Sequence, residues 1–154
     1  MKLLIDSNAY HKIFDPIHKQ YGNFQRLREC LFFRKGVLVY GGTTFLKELE
    51  KLNKFLGISA ELKKQGKLKL LSKELVDAEE KRIKKLIKDK DFDDPHLVAC
   101  CILGVVEIVV TEEHRAVKYI KDKVEGVKIY PAHIPPPKIF KSSRNNNLLI
   151  NCFR

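Results

Sequence analysis

Short apolar runs typical of strands alternate with segments of helical periodicity along most of this chain. The five runs are KLLI (2–5), VLVY (37–40), LKLL (68–71), EIVV (107–110) and VKIY (127–130). The segments between them have helical periodicity and are long enough to cross from one parallel strand to the next. This alternation predicts an α/β fold in which helices cover both faces of one parallel sheet, a three-layer α/β/α arrangement.

The connecting segments predict where the helices lie. Two short helices are expected within 9–33, and further helices over 44–64, 74–89, 94–103 and 114–123. After Tyr130 the composition changes to a proline-rich stretch and then an asparagine-rich one. We therefore expect one domain over 1–134 and an extended tail over 135–154.

Length and composition exclude several classes of protein. The 154 residues are enough for a single buried core, and no apolar run reaches the roughly 18–20 residues that span a bilayer. The apolar start of the chain is too short for a secretory signal. The four cysteines have no C-x-x-C spacing, which argues against a zinc or redox motif. We expect them to behave as small apolar residues in a reducing, cytoplasmic setting.

The net charge of +11 is the strongest compositional signal. A small domain this basic favours a polyanionic partner, because lysines near phosphates gain affinity by releasing counterions. The alternative is a lysine-rich surface that serves solubility only. The chain has no tryptophan and its other aromatic residues are scattered, which favours phosphate contacts over stacking on bases.

Acidic residues follow two of the predicted strands. Asp6 comes directly after KLLI, and Thr111, Glu112 and Glu113 follow EIVV. Ligands of parallel sheets bind outside the carboxyl ends of the strands, where both groups are expected. Aspartate is also common at strand ends because its side chain starts turns, so Asp6 alone has a purely structural interpretation.

Glu48 is predicted to lie on the apolar face of its helix. At about 100° per residue, it falls between Leu52 and Phe55, whereas Glu50 and Lys51 fall on the solvent side. A glutamate among core residues loses hydration and needs a partner. The alternative is a residue at the margin of the face whose carboxylate reaches water.

A further acid, Asp94, precedes Pro95 and an apolar helix. Aspartate at the N-cap followed by proline is a strong helix start, which is the structural interpretation. The same carboxylate is also expected to face the cleft, and Asp91 or Asp93 could replace it in either role. We interpret His96 as a residue of the helix start rather than a ligand.

Carboxylates that converge in one cleft repel one another unless a cation offsets their charge. Mg²⁺ or Mn²⁺, which prefer oxygen ligands, are the expected cofactors. Lysines that hold a nucleic-acid backbone beside carboxylates that hold a metal are a combination suited to cutting nucleic acid.

The chain resembles the PIN-domain ribonucleases, which include many toxins of toxin–antitoxin pairs. The resemblance lies in LLIDSNAY, TTFLKELEKL, DDPHLVACCILGVVEIVVTEE and the strand near KIYP, and it spans about residues 1–131. It implies the strand order 3-2-1-4-5 and frequent dimerisation. The last acid of the family's pattern is an aspartate, and Glu113 replaces it here, which favours the alternative of an inactive module that binds RNA or protein.

The resemblance implies a metal-dependent endoribonuclease with assigned residue roles. The predicted catalytic residues and metal ligands are Asp6, Glu48, Asp94 and Glu113, with Glu112 as a reserve ligand. Asn8, or Ser7 beside it, and Thr111 would orient those ligands. We expect Arg115, Lys118 and Lys121 to contact the RNA backbone, unless they form only a solvated basic face. The implied partners are RNA, a possible antitoxin protein and a second copy of the chain. A phosphotransfer fold is disfavoured because the chain lacks G-x-x-x-x-G-K-[ST].

Overall fold

A parallel five-stranded sheet forms the centre of the molecule. The computed structural model describes all residues, 1–154. The strands are β1 (Lys2–Ile5), β2 (Val37–Gly41), β3 (Leu68–Leu71), β4 (Ile108–Val110) and β5 (Lys138–Ile139). Their order is β3-β2-β1-β4-β5 and every pairing is parallel. The predicted fold class and strand order are confirmed.

Helices cover both faces of this sheet. They are α1 (Tyr10–Phe14), α2 (Gln25–Phe33), α3 (Thr43–Glu50), α4 (Leu56–Lys64), α5 (Lys73–Leu86), α6 (Pro95–Gly104), α7 (Val117–Ile120) and α8 (Ile150–Phe153). A 3₁₀ turn, His114–Ala116, precedes α7, so the helix predicted over 114–123 is shorter than expected. None of the helices has the length and apolar character needed to cross a membrane.

The two faces of the sheet belong to two separate apolar clusters. Side chains alternate between the faces of a strand, so Leu4, Val39 and Val109 join the cluster beneath α5 and α6. Their neighbours Leu3 and Ile108 join the other cluster, which includes α1 and α2. The central strands β1, β2 and β4 are therefore covered on both sides, as their nearly continuous apolar sequences indicate.

The predicted single helix over 44–64 is wrong, because the chain is broken in the middle. Leu52 leaves the helical conformation with φ −98° and ψ 49°, and a 3₁₀ turn, Asn53–Phe55, leads into α4. The break places the Phe55 ring against the rings of Tyr10 and Phe14, with centroids 5.9 and 6.3 Å away. Burial of this aromatic group outweighs the helical propensity of the intervening residues.

The fifth strand lies later in the chain than predicted. Residues 127–130 form no sheet strand, and Lys138–Ile139 pairs with β4 instead. Phe140 and Leu149 are fully buried in the cluster that contains α1 and α2. The segment over 135–154 is therefore part of the fold and not the extended tail that its composition predicts.

A disulfide joins the end of the chain to α2. Cys30 and Cys152 are bonded, with Cα atoms 5.8 Å apart. Cys100 and Cys101 are free and buried. The expectation that the cysteines act as small apolar residues is right for Cys100 and Cys101. It is wrong for Cys30 and Cys152, which are bonded to each other.

Candidate functional site

The carboxyl ends of β1 and β4 bring the first two predicted residues together. Asp6 follows β1, and its backbone N–H donates to the Val110 carbonyl at 2.9 Å. Thr111 follows β4, and its Oγ1 donates to Asp6 Oδ2 at 2.7 Å. Asp6 is only 3% exposed. The Thr111 hydroxyl therefore holds the Asp6 carboxylate at this edge of the sheet.

Glu48 reaches the same place from α3. The Ser7 hydroxyl donates to Glu48 Oε2 at 3.2 Å and lies 3.5 Å from Asp6 Oδ1, so Ser7 connects the two carboxylates. The Glu48 side chain is 32% exposed. This places it at the margin of the apolar face, between the two interpretations that the helical pattern allowed.

Asp94 occupies the N-cap position of α6, with Pro95 as the first helical residue, as predicted. Its carboxylate, however, makes no capping hydrogen bond. Asp91 and Asp93 are exposed, whereas Asp94 is half-buried. Because the helix start does not use the Asp94 carboxylate, that group remains available in the cleft.

The side chain that sequence reasoning missed is His96. It is 1% exposed, and its Nε2 lies 3.2 Å from Glu48 Oε2. One potential ligand atom from each of Glu48, Asp94 and His96 lies within 4.8 Å of the other two. Its position at the start of α6 is as predicted, but its side chain points into the acidic group. The sequence gives one indication of this, since His96 is the only imidazole in an otherwise apolar helix.

We call Asp6, Glu48, Asp94 and His96 the acidic cluster. Burial and the nearby charge of Asp6 raise the pKa of Asp94 to about 6. Burial also raises the pKa of Asp6, although the Thr111 hydrogen bond opposes this. The cluster therefore holds two carboxyl groups whose ionised forms are disfavoured.

Glu48 and His96 favour each other's ionised form, unlike those two acids. The hydrogen bond from His96 lowers the pKa of Glu48. Burial lowers the pKa of His96, but the hydrogen bond and charge of Glu48 outweigh it and the net shift is upward. These two side chains form an ion pair at the centre of the cluster whenever His96 is protonated.

The predicted last acid is held outside the cluster. Glu113 Oε1 accepts hydrogen bonds from the backbone N–H and from Nε of Arg115, both at 3.1 Å. Its charge still contributes to the raised pKa of Asp94. Glu113 is thus near the cluster electrostatically, while its carboxylate is engaged with Arg115.

Asn8, after β1, contacts the backbone of Glu112, after β4. The Asn8 side-chain carbonyl accepts from the Glu112 backbone N–H at 3.2 Å. The Glu112 carboxylate pairs with Lys12 Nζ at 3.0 Å. Asn8 therefore holds the backbone that follows β4. The Glu112 carboxylate, predicted as a reserve metal ligand, is paired with Lys12 instead.

The basic residues predicted to contact RNA have different surroundings. Arg115 pairs with Glu113, and Lys118 Nζ lies 3.7 Å from Asp89 Oδ2. Lys121 lines a separate cavity with Lys123 and Lys138. Two of the three are thus already paired with carboxylates.

The donor set fits a divalent cation. Glu48 and Asp94 supply the carboxylate oxygens that Mg²⁺ and Mn²⁺ prefer, and the His96 imidazole favours Mn²⁺ over Mg²⁺. His96 Nδ1 is also buried and has no hydrogen-bond partner. A bound cation would offset the burial and the charge of Asp6 that together raise the pKa of Asp94.

Comparisons of the chain with models of protein families, with characterised proteins and with solved structures found no match. The evidence for what the acidic cluster does is therefore its own geometry and chemistry.

Proposed function

We propose that this protein is a metal-dependent endoribonuclease of PIN type that hydrolyses RNA phosphodiester bonds at the acidic cluster. The observation that carries the proposal is the convergence of Asp6, Glu48 and Asp94 at one edge of the sheet, with the pKa of Asp94 raised to about 6. Neighbouring carboxylates that repel one another are typical of sites that bind a cation or that transfer a proton during a reaction.

The residues would share the work as follows. Asp6, Glu48 and Asp94 would hold Mg²⁺ or Mn²⁺, and Glu113 would join them after release from Arg115. A bound cation would lower the pKa of water and stabilise negative charge on the phosphoryl oxygens. Thr111 and Ser7 keep the Asp6 carboxylate in one orientation through their hydroxyl groups. His96 does the same for Glu48.

The net charge of the chain supports a nucleic-acid substrate. A surface charge of +11 in so small a protein attracts a polyanion, while the acidic cluster is a local exception to it. The antitoxin partner and the homodimer in this proposal rest on the resemblance alone, and its cytoplasmic location rests on the pattern of the cysteines. The Cys30–Cys152 disulfide argues against the last of these, because disulfides are rare in a reducing compartment.

One observation favours a second candidate, a module that binds RNA or protein without cutting. The Glu113 carboxylate is occupied by Arg115, so the site has three free carboxylates where the family pattern has four. Loss of the fourth ligand would weaken a second metal position and leave the fold intact.

Cleavage of a mixed single-stranded RNA pool with Mn²⁺, with Mg²⁺ and with EDTA tests the proposal. We expect cutting with either metal and none with EDTA. Removal of groups that only support a metal ligand typically costs 10–100-fold in activity, so Asp6→Asn should lower the rate by at least about 100-fold. Asp91→Asn, an exposed aspartate on the loop before α6, is the matched control and should cut normally.

Two results would overturn the proposal. Equal cutting by wild type and Asp6→Asn would show that the acidic cluster is not the active site. RNA binding without cutting under any metal condition would favour the inactive module.

A further inference from the structure

A groove with basic side chains lies beside the acidic cluster, and no residue of it except Thr111 and Glu112 was expected near the site. It is an open cavity of about 370 Å³ lined by Lys12, Gln20, Thr111, Glu112, His114 and Lys141, among others. We call it the basic groove. Thr111 belongs to both places, since its Oγ1 also donates to Asp6. Thr111 therefore borders both the groove and the acidic cluster.

The position of β5 brings Lys141 to this groove. In the register of β4 with β5, Val109 pairs with Ile139, and the Phe140 backbone N–H donates to the Val109 carbonyl at 2.9 Å. Because the two strands are parallel, Lys141 leaves the sheet at the same edge as Thr111. A lysine from the segment expected to be a tail thus lies beside the candidate active site.

Lys12 supplies a cation from the other wall of the groove. Its side chain is 8% exposed, and its ammonium pairs with Glu112 Oε1 at 3.0 Å and lies 5.2 Å from the centre of the Phe24 ring. An ammonium group has three N–H donors, so the Glu112 carboxylate does not exhaust its capacity.

The charges in the groove indicate the class of ligand. Lys12 and Lys141 outweigh the single carboxylate of Glu112, and His114 adds an imidazole. The groove has only one lining residue that is apolar, Val117, so it offers little surface to an apolar ligand. A compact oxyanion such as a phosphate group matches this surface.

We propose that the basic groove binds a backbone phosphate of RNA that neighbours the phosphate at the acidic cluster. This inference rests on the proposed function, because it requires one RNA strand to contact both the basic groove and the acidic cluster. Lys141 and Lys12 hold the phosphate, and the Glu112 carboxylate competes with it for Lys12.

Binding of a labelled single-stranded RNA to the full chain in EDTA tests this, with affinity measured over a series of salt concentrations. Lys141→Ala should weaken binding several-fold and reduce the slope of log K against log salt by about 1, as expected for one lost phosphate contact. The matched control is Lys128→Ala, an exposed lysine near the carboxyl end of α6, away from Asp94. It should change the affinity much less.

A second variant gives the opposite sign. Glu112→Gln removes the competing carboxylate and should strengthen RNA binding. Lys12 itself is too buried for a clean substitution, so Glu112 tests its role without deleting its stem.

Equal losses for Lys141→Ala and Lys128→Ala would overturn the inference, since the groove would then contribute only to the general charge. Binding of polyglutamate with the same dependence on Lys141 would overturn the assignment to RNA and point to an acidic protein. Cleavage of RNA with no effect of Lys141 would leave the proposed function intact and reject the groove. RNA binding that depends on Lys141, without any cleavage of RNA, would support the basic groove and reject the proposed function.

Discussion

Helix α3 contacts acidic side chains at both of its ends, and the two groups differ in how they are satisfied. At its start, Asp77 of α5 accepts from the Thr43 backbone N–H at 2.8 Å and from the Thr43 hydroxyl at 2.6 Å. Glu80 of α5 accepts from the Thr44 hydroxyl at 3.1 Å and pairs with Lys84 at 3.0 Å. We call these two acids the α3 cap. Near its other end, Glu48 belongs to the acidic cluster.

The difference separates an acid whose charge is stabilised by hydrogen-bond donors from one whose charge is not. The hydrogen bonds from Thr43 lower the pKa of Asp77, whereas burial and neighbouring charge raise the pKa of Asp94. Glu80 is as deeply buried as many core residues, at 6% exposure, yet a hydroxyl and an ammonium face it. Burial alone is therefore a poor indicator of function, and the supply of donors is a better one.

The largest expected contrast between the two groups is their response to a metal. A ligand present at 100 times its Kd stabilises the folded state by about 2.7 kcal/mol. We expect Mn²⁺ at such an excess to raise the free energy of unfolding of wild type and of Asp77→Ala by that amount. Asp94→Asn should gain far less. Chemical denaturation with and without Mn²⁺ measures this, and an equal gain in Asp94→Asn would show that the cluster does not bind the ion.

The next effect concerns the α3 cap in the absence of metal. Asp77→Ala leaves the first N–H of α3 and the Thr43 hydroxyl without their acceptor, because Gly42 at the N-cap has no side chain. Loss of such a cap costs about 1–2 kcal/mol. Urea unfolding should show that loss, and Lys85→Ala on the exposed side of α5 serves as control. No loss in Asp77→Ala would mean that water replaces the carboxylate at the helix start.

The smallest effect has the opposite sign. A carboxyl whose folded pKa is about 6 and whose unfolded value is 3.8 loses stability for the fold as pH rises from about 4 to about 6. A shift of this size is roughly 3 kcal/mol at most, and solvent screening of the half-exposed group reduces it to about 1 kcal/mol. Asp94→Asn should therefore be more stable than wild type by about 1 kcal/mol at pH 7 without metal.

The pH dependence of that gain identifies its cause. The difference between Asp94→Asn and wild type should shrink as the pH falls and vanish near pH 4, where both side chains are neutral. Thermal unfolding in EDTA at several pH values measures it. A difference that stays constant with pH would come from packing and not from the charge of Asp94.

The sheet was largely predictable because its strands are buried on both faces. Four of the five apolar runs form strands at the expected places, since few other arrangements bury such runs. The exception is the last strand, which has only two residues, Lys138 and Ile139, and therefore no pattern to detect. The break after α3 was equally hidden, because it depends on rings contributed by distant residues such as Tyr10.

The candidate site was predictable to the extent that it depends on strand ends and helix starts. Asp6 and Asp94 lie where the edge rule and the N-cap pattern put them. His96 was missed because its role depends on a contact with Glu48 across 48 positions of sequence. The pairing of Glu113 with Arg115 is a local choice of side-chain conformation, which spacing does not specify.

The disulfide between Cys30 and Cys152 makes most of the chain a covalent ring. Its ends are separated by 122 residues, so the ring contains β2 to β5 and all the helices from α3 to α7. An unfolded ring of this size has fewer conformations than an open chain, which favours the folded state by on the order of 5 kcal/mol. A single protease cut within the ring would also leave one covalent molecule, whose pieces separate only when a reductant opens the bond.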